Sequence, residues 1–406
     1  MLLYHLYDFH RATLAPLRLT AETLQQVFSH PLLPLSYTHF GRTVAAGAEL
    51  IERSTRRYAK PGFGLTGIRI DGQDVAVHEE VVSRRPFCNL LHFRRDTGRS
   101  DPRVLVVAPL SGHYATLLRD TVAGLLPEHD VYITDWANTA DVPLGHGAFD
   151  LDEYIDYLIG FFEFLGPGTH VVAVCQPSVP VLAAVSLMAA DKSAAGPRSM
   201  TLMGGPIDTR VNPTKVNSHA KTHSLEWFER SVISTVPAAY PGFMRRVYPG
   251  FVQLSGFLAM NPDRHLGAVL KHYDHLVQGD GDSADAHRRF YDEYLAVMDL
   301  PAEFFLQTVK VAFQDHDLPR GTMRWRKSPV EPRAITQTAL LTVEGELDDI
   351  SGVGQTVAAH DICTGVPADR RRHHLQKGVG HYGIFNGRRW RAEILPKVAE
   401  FIRRAE

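Results

Sequence analysis

Cys175 closes the apolar run His170-Val-Val-Ala-Val-Cys175 and is followed at once by Gln176-Pro-Ser178 and a helix-like segment. A thiolate is a strong nucleophile near neutral pH, provided that a base can take its proton. Two later segments supply such partners. Glu344-Gly-Glu-Leu-Asp-Asp-Ile350 puts carboxylates in the turn after the apolar run Leu340-Leu-Thr-Val343. Gly378-Val-Gly-His-Tyr-Gly383 puts His381 between glycines, where the backbone lets an imidazole come close to a second loop. The order is nucleophile, acid, histidine. Asp348 and Asp349 compete for the acid, and in a tight turn only one can face the imidazole; Asp348 is favoured. The bland alternative for Cys175 is a small buried hydrophobe at a strand end, a common role for free cysteine.

Acyl transfer also needs two N–H donors for a developing oxyanion. The amide of Gln176, which follows the nucleophile, is one candidate. The loop Pro109-Leu-Ser-Gly-His113 offers the other: Pro109 cannot donate, which leaves Leu110 or Ser111. Ser178 is the rival nucleophile, but three residues into a helix its hydroxyl should turn away from the apex and cap the helix instead. No HExxH, CxxC or glycine-rich phosphate loop is present in the sequence, and no metal is expected.

The elements that must position these residues follow from periodicity. Residues 1–64 read as a helical extension, with Leu17, Leu24, Val27 and Phe28 as apolar positions and Pro16 near the start of its helix. Short strands over 67–70, 75–78 and 87–93 open a core segment, 65–206. From residue 103 buried strands alternate with helices: strands at 104–108, 130–134, 171–174 and 199–203, helices at 116–126, 151–164 and 178–190. The rhythm stops over 207–330, a helical block rich in aromatics, and resumes at 339–343 and 373–376 within 331–406. A strand ending at a nucleophile, with a helix directly after it, is the elbow of the α/β-hydrolase fold. The expected architecture is therefore α/β: a mostly parallel sheet with helices on both faces, an inserted helical lid and an N-terminal helical extension. The usual elbow is G-x-S-x-G; here Ala173-Val-Cys-Gln-Pro177 takes its place.

Composition narrows the function. The 406 residues are 44% hydrophobic and 22% charged, with a formal net charge of −2, which gives no electrostatic case for nucleic acid as partner. Three cysteines form no metal spacing or disulfide framework and favour a reducing cytoplasm. No secretory signal and no membrane-spanning run is read from the sequence.

Val174-Cys-Gln-Pro-Ser-Val-Pro180, Pro109-Leu-Ser-Gly-His-Tyr-Ala-Thr-Leu-Leu-Arg119, Gly345-Glu-Leu-Asp-Asp-Ile-Ser-Gly352 and Gly378-Val-Gly-His-Tyr-Gly-Ile-Phe385, taken together, resemble the intracellular poly(3-hydroxybutyrate) depolymerases. The opening Tyr4-His-Leu-Tyr-Asp-Phe9 resembles the start of that family as well, so the similarity spans essentially the whole chain. The resemblance implies a carboxylic ester hydrolase that mobilises stored amorphous polyester in the cytoplasm, at the granule surface, through a triad of Cys175, Asp348 and His381. It implies an acyl-thioester intermediate and no cofactor, with coenzyme A open as co-substrate and a homodimer open as the assembly. A small-molecule esterase or thioesterase, a polyhydroxyalkanoate synthase and a catalytically silent granule-coating protein are the competing readings. The synthase normally has a glycine-flanked elbow, which Ala173 and Pro177 do not provide. The polymer is expected to be gripped by the block 207–330 with the N-terminal helices, through Phe243, Tyr248 and Phe251, which are spaced by Pro-Gly turns.

If Cys175 is the nucleophile, mass spectrometry after mixing with an activated ester will find the acyl group on Cys175. Cys175→Ala will abolish ester cleavage in a folded protein, and Ser178→Ala will retain most of it; acylation at Ser178 would reverse the assignment.

Overall fold

The computed structural model describes residues 2–260 and 262–406; Met1 and Asn261, which fall in the expected extension and inserted block, lie outside them. Nine strands form the main sheet: β1 (Gly67–Ile70), β2 (Gln73–Arg84), β3 (Cys88–Arg95), β4 (Arg103–Val107), β5 (Asp130–Trp136), β6 (Thr169–Val174), β7 (Ser199–Met203), β8 (Ala339–Gly345) and β9 (Arg371–Gln376). Their spatial order is β1-β2-β3-β5-β4-β6-β7-β8-β9. The pairings from β5 across to β9 are parallel, whereas β1, β2 and β3 join antiparallel at one edge. Each of β6, β7 and β8 is buried along its whole length, as an apolar strand covered on both faces must be.

The register levels the carboxyl ends of these strands. Val107 lies opposite Ala173, Val174 opposite Met203, Met203 opposite Val343, and Gly345 opposite Gln376. The loops that follow β4, β6, β7, β8 and β9 therefore all leave from one edge. Between β4 and β6 the strand order reverses direction, so the connections on either side of that point lead away in opposite directions, the usual place for a ligand in an open α/β sheet.

Helices cover both faces. In chain order, α1 (Leu2–Phe28) and α2 (His39–Thr55) precede the sheet, and α3 (Arg119–Leu125), α4 (Leu151–Leu165) and α5 (Ser178–Ala190) connect its strands. Asp150 and Glu153 form a capping box at the start of α4. α5 buries every residue from Ser178 to Met188 and so has no polar stripe, which fits a helix covered on all sides.

Pro16 does not open its helix as expected; it sits in the interior of the 27-residue α1. A proline there gives up one backbone hydrogen bond and costs about 3 kcal/mol. Two circumstances make that tolerable. Ala12, whose carbonyl loses its partner, is exposed to water. Each half of the helix is also anchored separately: Tyr4 is buried and hydrogen-bonded to Asp299, while Gln25 Nε2 donates to Glu49 Oε2 of α2 at 3.1 Å and Phe28 meets Phe40 edge-on.

The inserted block contains α6 (Lys215–Thr222), α7 (Leu225–Ser231), α8 (Gly250–Met260), α9 (Pro262–Gln278), α10 (Gly281–Tyr294) and α11 (Ala302–Thr308). It also contains a small three-stranded sheet of Ser234–Thr235, Arg246–Tyr248 and Leu300–Pro301, which the sequence does not announce because strands of two or three residues carry no period. Several of its aromatics are core: Phe304 is fully buried and stacks on Tyr154 at 5.3 Å, and Tyr291 and Tyr294 are buried.

The three aromatics spaced by Pro-Gly turns do not form one exposed group. Tyr248 packs on Phe305 at 4.2 Å, and Phe251 stacks on Tyr7 at 4.2 Å with the rings nearly parallel; Phe243 is 44% exposed. The reason is α1, whose Tyr4 and Tyr7 close over Phe251. Phe251→Ser should thus lower the unfolding free energy by about 1–2 kcal/mol through lost ring contacts, while Phe243→Ser stays within about 0.5 kcal/mol. Denaturant titration of the two variants measures the difference.

Candidate active site

At the carboxyl end of β6 the backbone turns sharply. Cys175 has φ +69°, in the left-handed region, a conformation that costs a residue with a side chain roughly 1–2 kcal/mol. Its N–H donates to Met203 O at 2.7 Å, and its carbonyl accepts from Ser178 N–H at 3.1 Å, so the turn is pinned to β7 on one side and α5 on the other. Pro177 stands immediately before α5, already in the helical region. The space for this turn comes from Gly205, where a Cβ would overlap the Ser178 side chain and press on the Cys175 carbonyl. Ser178 is fully buried against that glycine. Its hydroxyl has no partner among the described residues, and the position before the helix is Pro177, so Ser178 is not the helix cap that the sequence suggests.

His381 begins a short 3-10 turn, His381–Ile384, after β9. Its Nδ1 lies 2.7 Å from Asp348 Oδ2, and its ring is also hydrogen-bonded to Cys175. The acid is held in turn: Asp348 Oδ1 accepts from the N–H groups of Ile350 at 2.9 Å and Ser351 at 2.8 Å, and its side chain is buried. Asp349 is exposed. Of the two competing carboxylates, the structure thus brings Asp348 to the imidazole. Burial works against a charged His381, but the neighbouring Asp348 carboxylate and the Cys175 sulfur outweigh it and hold the imidazole well above its ordinary value.

Two contributors are not evident from the sequence as functional. Gly204, with φ +57°, lies under the imidazole; a Cβ there would come within 3.1 Å of His381 Cε1 and would meet Ile384 at 2.6 Å. Glu344 is buried at the end of β8, where it accepts from the N–H groups of Gly354 at 3.0 Å, Thr356 at 2.7 Å and Val357 at 2.9 Å. It thereby closes the loop that carries Asp348. Gly204-Gly205 reads in the sequence only as a strand terminator, and Glu344 only as one acid among four in its segment.

The amides expected as oxyanion donors lie on either side of the strand-order reversal, Leu110 and Ser111 after β4 and Gln176 after β6. Among the described residues none of these three N–H groups has an acceptor. His113, on the same loop as Leu110, is buried with Nε2 3.1 Å from Tyr294 O, and burial pulls its imidazole down to about 4. It is neutral at pH 7 and ties the loop to the inserted block. No group of three or more metal-ligating side chains occurs among the described residues, and no helix among them is long and apolar enough to cross a membrane.

A strand order with one reversal, a left-handed residue between β6 and α5, and an acid and a histidine on the last two strand-end loops define an α/β-hydrolase. The family model for the PHB de-polymerase C-terminus matches residues 204–406, and the chain belongs to that family, one of ester hydrolases. Among solved structures the chain is similar to a meta-cleavage product hydrolase from Pseudomonas fluorescens IP01, at 16% identity over 84% of this chain and 98% of that one, with TM-score 0.44. It is also similar to a thermophilic esterase from Thermogutta terrifontis, at 12% identity over 84% of this chain and 97% of that one, with TM-score 0.41. A search of the curated proteins returns no match.

Asp348→Asn should cut turnover severely, by about 10⁴-fold if this histidine depends on its acid as in a serine triad. Asp349→Asn should be much milder. Steady-state rates on a soluble ester compare the two, and the opposite ranking would move the acid to Asp349.

Proposed function

We propose that this chain cleaves the backbone esters of stored poly(3-hydroxybutyrate) through an acyl-thioester on Cys175. The observation that carries the reading is the hydrogen-bonded series Cys175, His381, Asp348 at the sheet's topological switch point, in a chain of this family.

In the first half-reaction His381 holds the proton of the Cys175 thiol, and the sulfur attacks the ester carbonyl. The carbonyl oxygen becomes an oxyanion held by the N–H of Gln176 and that of Leu110 or Ser111. The tetrahedral centre then collapses, the C–O bond breaks, and His381 returns the proton to the leaving hydroxyl of the polymer. Asp348 keeps the imidazole in one tautomer and orientation and stabilises its positive charge. In the second half-reaction water, or the thiol of coenzyme A, gives a proton to His381 and attacks the thioester, and Cys175 leaves as the thiolate beside the protonated imidazole, which restores the starting pair. No step calls for a metal or an organic cofactor.

An amorphous polyester is an apolar phase, so its enzyme needs exposed apolar surface. On α1 Leu2, Leu6 and Phe9 are 72%, 56% and 70% exposed, and Leu266 and Leu270 of α9 and Phe243 are exposed as well. We assign the granule contact to these side chains, with the protein at the surface of intracellular granules. The second reading is a small-molecule esterase with the same triad.

Incubation with amorphous granules, with and without coenzyme A, followed by identification of the products, separates these readings. Release of 3-hydroxybutyrate or its oligomers supports the depolymerase, and release of their coenzyme A thioesters identifies the acceptor. Cleavage of a short soluble ester with no release from granules would leave only the esterase.

A further inference from the structure

The loop Pro109-Leu-Ser-Gly-His113 is held from outside by a strap, residues 297–299, that belongs to the inserted block. Met298 N–H donates to Gly112 O at 2.7 Å, and His113 pairs with Val297 in an isolated antiparallel bridge. Gly112 itself has φ +105°, and a Cβ there would meet Gln253 Oε1 of α8 at 2.7 Å. Gln253 Nε2 in turn donates to Tyr248 O at 2.9 Å. The loop is thus shaped by contacts with the block as much as by β4.

What fixes the strap is Asp299. One carboxylate oxygen, Oδ1, accepts from Gly250 N–H at 2.8 Å, at the start of α8. The other accepts from the Tyr4 hydroxyl of α1. The Asp299 backbone is clamped on both sides, its N–H donating to Asn138 Oδ1 at 2.9 Å and its carbonyl accepting from Thr139 N–H at 3.1 Å. Tyr4 and Asp299 are both buried, and Tyr4 packs edge-on against Tyr240 and Phe251. A buried carboxylate is costly unless its hydrogen bonds are complete, so these donors are not interchangeable with water.

We propose that Tyr4 and Asp299 are positioning residues for the oxyanion loop: through the strap 297–299 they set where the Leu110 and Ser111 amides point. The inference rests on the reading of that loop as an oxyanion donor. It also means that the docking of α1, the helix that exposes Leu2, Leu6 and Phe9, is transmitted to the reacting centre. Oxyanion donors act chiefly in the transition state, where a missing one costs about 10²–10³-fold in turnover, so partial misplacement should cost about tenfold in kcat and leave KM nearly unchanged. Alkylation of Cys175 by iodoacetamide forms no oxyanion and should not respond.

The test uses Tyr4→Phe, which keeps the ring packing, and Asp299→Ala, which removes both side-chain acceptors. For each variant, kcat and KM on p-nitrophenyl butyrate, the Cys175 alkylation rate and hydrogen exchange at the Met298 amide are measured in the full chain. Expected are a kcat about tenfold lower, KM within about twofold, unchanged alkylation and faster Met298 exchange. Unchanged exchange would overturn the strap while leaving the proposed reaction standing. Faster exchange with unchanged kcat would overturn the positioning role together with the oxyanion reading of the loop. Loss of kcat and alkylation in parallel would show a general distortion of the site and overturn the inference as well.

Discussion

One backbone torsion governs the rest of the site. At φ +69° Cys175 occupies a conformation that its side chain disfavours, and it is kept there only because β6, β7 and α5 leave the chain no other course. The hydrogen bond to Met203 O fixes the turn against the neighbouring strand, and the missing side chain of Gly205 admits it. Were the torsion to relax, the sulfur would leave the imidazole and the Gln176 amide would move with it. Cys175 and the Gln176 amide are a single geometric unit.

The electrostatics are built around that unit from the far end of the chain. Asp348 faces a ring it can charge, and its second oxygen is occupied by two backbone donors, so the carboxylate can neither rotate nor be drained by solvent. Glu344 has the corresponding role at a further remove from the imidazole, with three backbone donors on its own carboxylate. Both acids commit their hydrogen-bonding capacity to loop amides. This is how a loop, ordinarily the least rigid region of a fold, acquires a fixed side-chain geometry.

Much of this was legible in the residues. Strand positions could be read where burial on both faces forces a nearly continuous apolar run, as in Val171–Val174 and, with Thr342 as its one polar residue, Leu340–Val343, and Cys175, Asp348 and His381 follow three strands in that order. What escaped reading depended on neighbours distant in sequence. Pro16 reads as a helix start on local grounds, but Tyr4 and α2 hold the helix on either side of it. Phe251 and Tyr248 read as loose aromatics between turns because the rings that cover them, Tyr7 and Phe305, lie far away along the chain. Gly204 matters through what it does not place beneath His381, and an absence has no signature in composition.

The pairing of β7 with β8 joins segments that the whole inserted block separates. A parallel sheet grows by adding edges, and until β8 arrives β7 presents an unpaired edge that the finished sheet buries along its whole length. During synthesis the chain through Met203 would therefore be a sticky intermediate, with the largely apolar α5 incompletely covered. The contacts that end this state are long-range, which makes their formation slow. They also bring Asp348 and His381, so completion of the sheet and assembly of the charged pair are one late event. A ribosome-bound chain would carry Cys175 well before it carried Asp348 and His381.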